Sequence, residues 1–174
     1  MARIYCFDTS ALIHRYLNGP ASRQIRRIVS DRRNKCFLPE LCVVEMSSAL
    51  GRRLRRSHLG HRDFDRLEIK FFDDISEGRI EVYPLRMQDF TRARELLRYA
   101  GMVRKRNLTS VDSLVACASL EIAYREQQRV TLCTSDRTLY SILSEIDAYT
   151  AALDLRYYEV PLQGATIQPI VPTS

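Results

Sequence analysis

Residues 3–12 read Arg3-Ile4-Tyr5-Cys6-Phe7-Asp8-Thr9-Ser10-Ala11-Leu12. An apolar run of strand length ends at a carboxylate. Two hydroxyl residues then open a stretch whose apolar residues, Ala11, Leu12, Ile13 and Leu17, return at helical spacing. The pattern is a buried strand handing over to a helix, with an acid at the junction. A related pattern lies near the other end of the chain. Arg129–Thr134 (Arg-Val-Thr-Leu-Cys-Thr) reads as a buried strand, Ser135 and Asp136 follow, and Asp136–Ile146 reads as a short helix.

Between these two units, strand and helix patterns alternate. A helix is expected over Ala21–Ser30, a strand over Lys35–Leu38, and a helix opening at Pro39-Glu40 with proline near its first turn. That helix runs into Arg52-Arg53-Leu54-Arg55-Arg56. Asp63–Ile75 is amphipathic, with Phe64, Leu67, Phe71, Phe72 and Ile75 as its inner face. Arg79–Pro84 alternates apolar and polar residues, as a half-exposed strand does. Met87–Val103 reads as one helix with Phe90, Ala93, Leu96, Leu97 and Ala100 inward. Thr109-Ser110 starts a strongly apolar helix, and Arg156–Val160 reads as a last strand. Residues 161–174, with three prolines and a glycine, read as a surface tail. Such alternation implies a single α/β domain over residues 1–160, with a mostly parallel central sheet and helices on both faces.

Four acids stand in apolar or strand-end positions: Asp8, Glu45 (Leu-Cys-Val-Val-Glu-Met), Asp112 (Thr-Ser-Val-Asp-Ser-Leu-Val-Ala) and Asp136. A carboxylate among apolar neighbours is costly unless it is paired or binds a cation. In open parallel sheets, ligand sites lie at the carboxyl ends of the strands. Asp8 and Asp136 both follow strands there, and the helices carrying Glu45 and Asp112 can aim their early turns at the same edge. Magnesium takes oxygen ligands and needs only one or two carboxylates plus substrate phosphate. Each acid also has a purely structural account. Asp8 and Asp136 suit helix N-caps, Asp112 suits a helix N-terminus, and Glu45 suits a salt bridge to Arg52 or another arginine. Ser10 and Thr134 can orient a carboxylate.

The chain has 174 residues and a formal net charge of +6, mostly from arginine. Arginine is the better fork for phosphate oxygens, so the balance favours a polyanionic partner. Arg52, Arg53, Arg55 and Arg56 are the first candidates for contacts to an RNA backbone; a solvated helix face is the other account of them. The five cysteines, Cys6, Cys36, Cys42, Cys117 and Cys133, all sit among apolar residues without CxxC spacing. They are expected to be buried thiols in a reducing cytoplasm, not zinc ligands. His14, His58 and His61 read as surface or rim residues, and the tyrosines as core or rim. No apolar run is long enough to span a membrane, and the N-terminus carries no pattern of a signal peptide.

The four acid-bearing stretches, taken in order, resemble the PIN-domain family, and within it the VapC-type ribonuclease toxins of toxin–antitoxin pairs. The resemblance covers roughly residues 3–160. Tyr-Cys-Phe-Asp-Thr-Ser-Ala-Leu is similar to the family's first motif, which implies a metal-ligand role for Asp8 and a supporting role for Ser10. Leu-Pro-Glu-Leu-Cys-Val-Val-Glu-Met implies a metal-site role for Glu45. Leu-Thr-Ser-Val-Asp-Ser-Leu-Val-Ala implies a direct ligand at Asp112, although the family usually has Asp-Ala there. Leu-Cys-Thr-Ser-Asp-Arg implies roles for Thr134 and Asp136. The resemblance further implies a magnesium- or manganese-dependent endoribonuclease, a homodimer and a cognate antitoxin. A housekeeping RNA-processing nuclease and a non-cleaving RNA- or protein-binding module share the same pattern. Other phosphate chemistries fit less well: Asp8 is followed by Thr9-Ser10 and not by the Asp-x-Asp of haloacid-dehalogenase phosphatases, and no Gly-rich Lys-Ser/Thr loop is present.

Overall fold

The structure, a computed structural model, describes residues 3–55 and 59–159. Arg56, His58 and the proline-rich segment 161–174 lie outside the described residues. Five strands form one sheet: β1 (Ile4–Phe7), β2 (Lys35–Pro39), β3 (Glu81–Tyr83), β4 (Val130–Thr134) and β5 (Leu153–Tyr157). Their spatial order is β3-β2-β1-β4-β5, and every neighbouring pair is parallel. Parallel strands covered on both faces become continuous apolar runs. Every residue of β1 and β4 is buried, whereas the edge strand β3 buries only Tyr83 fully.

The helices are α1 (Thr9–Leu12), α2 (Ser22–Ser30), α3 (Glu40–Arg55), α4 (His61–Ser76), α5 (Met87–Arg98), α6 (Ser110–Glu126), α7 (Arg137–Leu143) and α8 (Asp147–Ala152). From β1 the chain steps to β2 and then β3 in one direction; from β3 it returns past β1 to β4 and goes on to β5. Right-handed crossovers therefore put α1–α4 on one face and α5–α8 on the other. The packing sorts the same way: α1 meets α3 and α3 meets α4, while α6 meets α5, α7 and α8. The strand order reverses between β1 and β4, and that crevice is where open parallel sheets bind ligands.

Several expectations shift. The final strand is Leu153–Tyr157 and not Arg156–Val160, because Asp147–Ala152 forms the short helix α8 just before it. The helix begun at Thr9 passes into a 3-10 turn at Ile13–Arg15. The single helix expected over Met87–Val103 stops at Arg98 and continues as a π-helical segment, Tyr99–Val103, which contains the poor helix former Gly101. Phe72 and Phe90 were expected inward but are 46% and 48% exposed. Adjacent residues on a helix point about 100° apart, and a neighbour takes the inner place in each case. Phe71 is fully buried, and Asp89 turns inward so that its carboxylate accepts the Arg86 backbone N–H at 2.7 Å.

His14 is also corrected: it is 2% exposed, and burial together with the charge of Arg53 lowers its pKa to about 4. Next to it, Arg15 crosses to α4. Its Nε and Nη2 donate to Asp74 at 2.5 and 2.7 Å, and Tyr16 and Arg79 donate to the same carboxylate at 2.9 and 3.0 Å. Asp74 has no solvent exposure; its pKa, raised by burial, is held below the ordinary range by these donors. The pair pins the first crossover to the fourth helix. All five cysteines are buried and unpaired, as their apolar settings implied.

Candidate metal centre

Three of the four acids stand at the N-terminal ends of helices. Asp8 is the N-cap of α1, and its Oδ1 accepts from the Ala11 N–H at 2.8 Å and from the Ser10 hydroxyl at 2.6 Å. Asp136 is the N-cap of α7, its Oδ1 accepting the Leu139 N–H at 2.8 Å. Asp112 is the third residue of α6 and forms a capping box with Thr109, whose hydroxyl it accepts at 2.6 Å. The capping accounts are thus realised. They do not exhaust these side chains, because capping also fixes each carboxylate at a helix end over the switch-point crevice.

Two hydroxyls join the ends of β1 and β4. The Thr134 hydroxyl donates to Asp8 Oδ2 and accepts the Asp136 N–H at 2.9 Å. The Ser10 hydroxyl, while donating to Asp8, accepts the Ser135 N–H at 2.8 Å. Both supporting residues inferred from sequence therefore act on Asp8 and on the Asp136 turn together. Glu45, half-buried in α3, joins through Thr9, whose hydroxyl donates to Glu45 Oε2 at 2.9 Å. In the sequence, only a hydroxyl next to an acid hints at that tie. The proposed Glu45–Arg52 salt bridge does not form, and Arg52 donates to Ser48 instead at 2.9 Å.

The electrostatics are those of crowded anions. Asp8 is 4% exposed, and burial raises its carboxyl to about 6. The hydrogen bonds from Ser10, Thr134 and Ala11 oppose that rise, and the charge of Asp112 adds to it. Asp112 is raised by burial and by the charge of Asp136, against its bonds to Thr109. Among the described residues, none of the four acids takes part in a salt bridge. Carboxylates that raise one another's pKa without a cationic partner favour uptake of protons or metal ions.

The donor set fits a hard divalent cation. It is all oxygen, and one oxygen each of Glu45, Asp112 and Asp136 carries no hydrogen bond among the described residues. The Ser135 hydroxyl, between Thr134 and Asp136, is buried without a partner among the described residues. As they stand, no three such side chains among the described residues are close enough to enclose an ion. Magnesium commonly uses one or two carboxylates and leaves the remaining positions to water and phosphate; Asp112 acts electrostatically on Asp8, and Asp136 on Asp112.

Of the arginine stretch, Arg52, Arg53 and Arg55 are described. Arg52 and Arg55 are exposed and Arg53 half-buried on the last turns of α3, roughly 10–15 Å along the helix axis from Glu45 at 1.5 Å per residue. A separate cavity of about 480 Å³, bounded by residues that include Arg92, Glu95, Tyr99 and Tyr149, contains none of the four acids.

A five-stranded parallel α/β domain with acids at its switch point defines a fold class rather than one protein. Comparison narrows the class. The family model described as PIN domain matches residues 5–153, and the chain belongs to that family. PIN domains are in general nucleases. Among solved structures, the chain is similar to VapBC2 from Rickettsia felis bound to a DNA fragment from their promoter. The TM-score is 0.58 at 14% identity, covering 90% of this chain and 99% of that one. It is also similar to PAE2754 from Pyrobaculum aerophilum, with a TM-score of 0.53 at 21% identity, covering 88% of this chain and 85% of that one. At these identities the likeness is one of fold. Comparison with curated protein sequences finds no match.

Proposed function

We propose that the chain is a magnesium- or manganese-dependent endoribonuclease, acting as the VapC-type toxin of a toxin–antitoxin pair in the cytoplasm. The observation that carries the activity is the electrostatic coupling of Asp8, Asp112 and Asp136 at the β1–β4 crevice without a cationic partner among the described residues. The toxin assignment draws on the shared fold with the VapBC2 complex. A cognate antitoxin and a homodimer belong to this proposal.

Asp8, Asp112 and Asp136 would hold the ion, with Glu45 at its margin. A divalent ion supplies neutralisation of phosphate charge and acidification of an attacking water. The protein's own groups do the positioning. Ser10 and Thr134 fix both oxygens of Asp8, so its orientation is set before substrate arrives. Thr9 fixes one oxygen of Glu45 and leaves the other to accept a hydrogen bond from the attacking water. Hydroxyl donors also keep Asp8 from rising further, so it is mostly ionised at neutral pH.

A second reading, a non-cleaving RNA-binding module, is favoured by one observation: no three acids among the described residues enclose an ion. Cleavage of single-stranded RNA, followed with magnesium and with EDTA, separates the two. Cutting that requires the metal and falls at least 100-fold in Asp8→Asn and Asp112→Asn supports the nuclease. RNA binding without cutting supports the module. Cutting that persists in EDTA or in both variants rejects the mechanism. Light scattering tests the dimer, which a monomeric mass at working concentration would rule out.

A further inference from the structure

The strand register places an aromatic residue beside the acids. Thr134, which donates to Asp8, is the register partner of Tyr157 on β5. Residues opposite one another on neighbouring strands share a face of the sheet. Tyr157 therefore stands on the Thr134 side, next to the candidate metal centre. The Tyr140 ring lies 5.8 Å from the Tyr157 ring, tilted by 54°. The Arg137 guanidinium lies 5.8 Å from the centroid of the same ring. Arg137 and Tyr140 sit in the first turn of α7, directly after Asp136, and the Tyr140 N–H donates to the Asp136 carbonyl at 3.1 Å. Both tyrosines are half-buried, and Arg137 is exposed.

We propose that Tyr157, Tyr140 and Arg137 form a stacking subsite for an unpaired nucleobase of the RNA, next to the phosphate that is cut. The inference rests on the ribonuclease reading above and adds what that reading lacks, a contact to a base. Aromatic faces and guanidinium planes are the groups on which unpaired bases stack. A cation against the tyrosine ring also provides a charge for the adjoining phosphate. The sequence hides the cluster. Tyr157 is separated from Tyr140 by a helix and a turn, and only the β4–β5 register brings them together. The competing account is that these rings merely pack α7 against the sheet edge.

The test uses the full chain and a labelled single-stranded RNA decamer, with calcium in place of magnesium. Affinity is measured for the intact RNA and for a set lacking one base at each position in turn. Wild type is expected to lose about ten-fold in affinity when one particular base is removed. Tyr157→Leu should bind the intact RNA about ten-fold more weakly and be indifferent to that removal, and Tyr157→Phe should behave as wild type. Tyr140→Leu and Arg137→Gln should show the same, smaller, loss if Tyr157→Leu fails to fold. The subsite is overturned if wild type is indifferent to every base removal, if Tyr157→Leu keeps wild-type sensitivity, or if Tyr157→Phe loses as much as the leucine variant. Wild-type cleavage in magnesium is run alongside. Base-dependent binding without cleavage rejects the ribonuclease reading and keeps the subsite; cleavage without base dependence does the reverse.

Discussion

Asp8→Asn is expected to stabilise the metal-free protein while abolishing its activity. Asp8 is 4% exposed, and its carboxyl stands at about 6 against an ordinary 3.8. The difference of about 2 units, at 1.36 kcal/mol each, puts the cost of the buried charge near pH 7 at about 3 kcal/mol. Asparagine removes that charge and keeps one oxygen for Ser10 and Ala11. It loses the acceptor for the Thr134 hydroxyl, worth about 1 kcal/mol. The net gain is about 1–2 kcal/mol, or roughly 2–8 °C in melting temperature for a domain of this size. The pH dependence has a definite sign. Above about pH 6 both folded and unfolded chains carry the ionised group, and the full cost is present. As pH falls through about 6, the folded chain takes up a proton that the unfolded chain does not. Wild type then gains stability until about pH 3.8, where the unfolded chain is protonated too. The two proteins should therefore differ most near pH 7.5 and converge toward pH 4. Thermal melts of both in EDTA at several pH values read this directly, because groups remote from Asp8 titrate alike in the two. Magnesium should raise the melting temperature of wild type alone. An asparagine variant that is less stable than wild type at pH 7.5, or a difference that does not change with pH, refutes the reasoning.

Thr134→Val keeps the side chain's shape but removes both the donor to Asp8 and the acceptor of the Asp136 N–H; it should cost about 1–3 kcal/mol in a melt. Because Thr134 holds the Asp8 carboxyl down, the acid limb of the pH–rate profile should also move to higher pH. Glu45→Gln should melt within about 1 kcal/mol of wild type, since Glu45 is only half-buried and in no salt bridge among the described residues, yet cut RNA at least 100-fold more slowly. Asp74→Ala leaves Arg15 buried opposite no anion and should cost about 3–5 kcal/mol, a fall of roughly 6–20 °C in melting temperature. Asp74 is held below its ordinary range, so the stability it lends is lost on acidification.

The parts of the fold legible in the sequence were those set by local pattern. β1 and β4 announce themselves because a strand buried on both faces has no polar residue to interrupt it. Asp8 and Asp136 were legible for a related reason: an acid ending such a run has only a cap or a ligand to be. The parts that failed depend on contacts distant in sequence. α8 has Ile146 at its N-cap, with no side chain capping it, so nothing local marks where it starts, and β5 was displaced with it. Phe71 and Phe72 are equally apolar, and only the packing decides which is buried. The Arg15–Asp74 pair joins residues 59 apart, and Tyr157 meets Thr134 through strand register alone. In the site, the hydroxyls of Ser10 and Thr134 were legible as supports because they flank acids, whereas the tie from Thr9 to Glu45, 36 residues away, depends on how α1 meets α3.

The activity proposed for this chain requires that the acids at the ends of β1 and β4, with those of α3 and α6, hold a divalent cation. Crystals of the protein soaked in manganese and measured for anomalous scattering test it at atomic level. An anomalous peak in contact with Asp112 and with Asp8 or Asp136 is expected, absent in Asp112→Asn. Well-ordered carboxylates with no peak between them at millimolar manganese, or a peak equally strong in the variant, would contradict it.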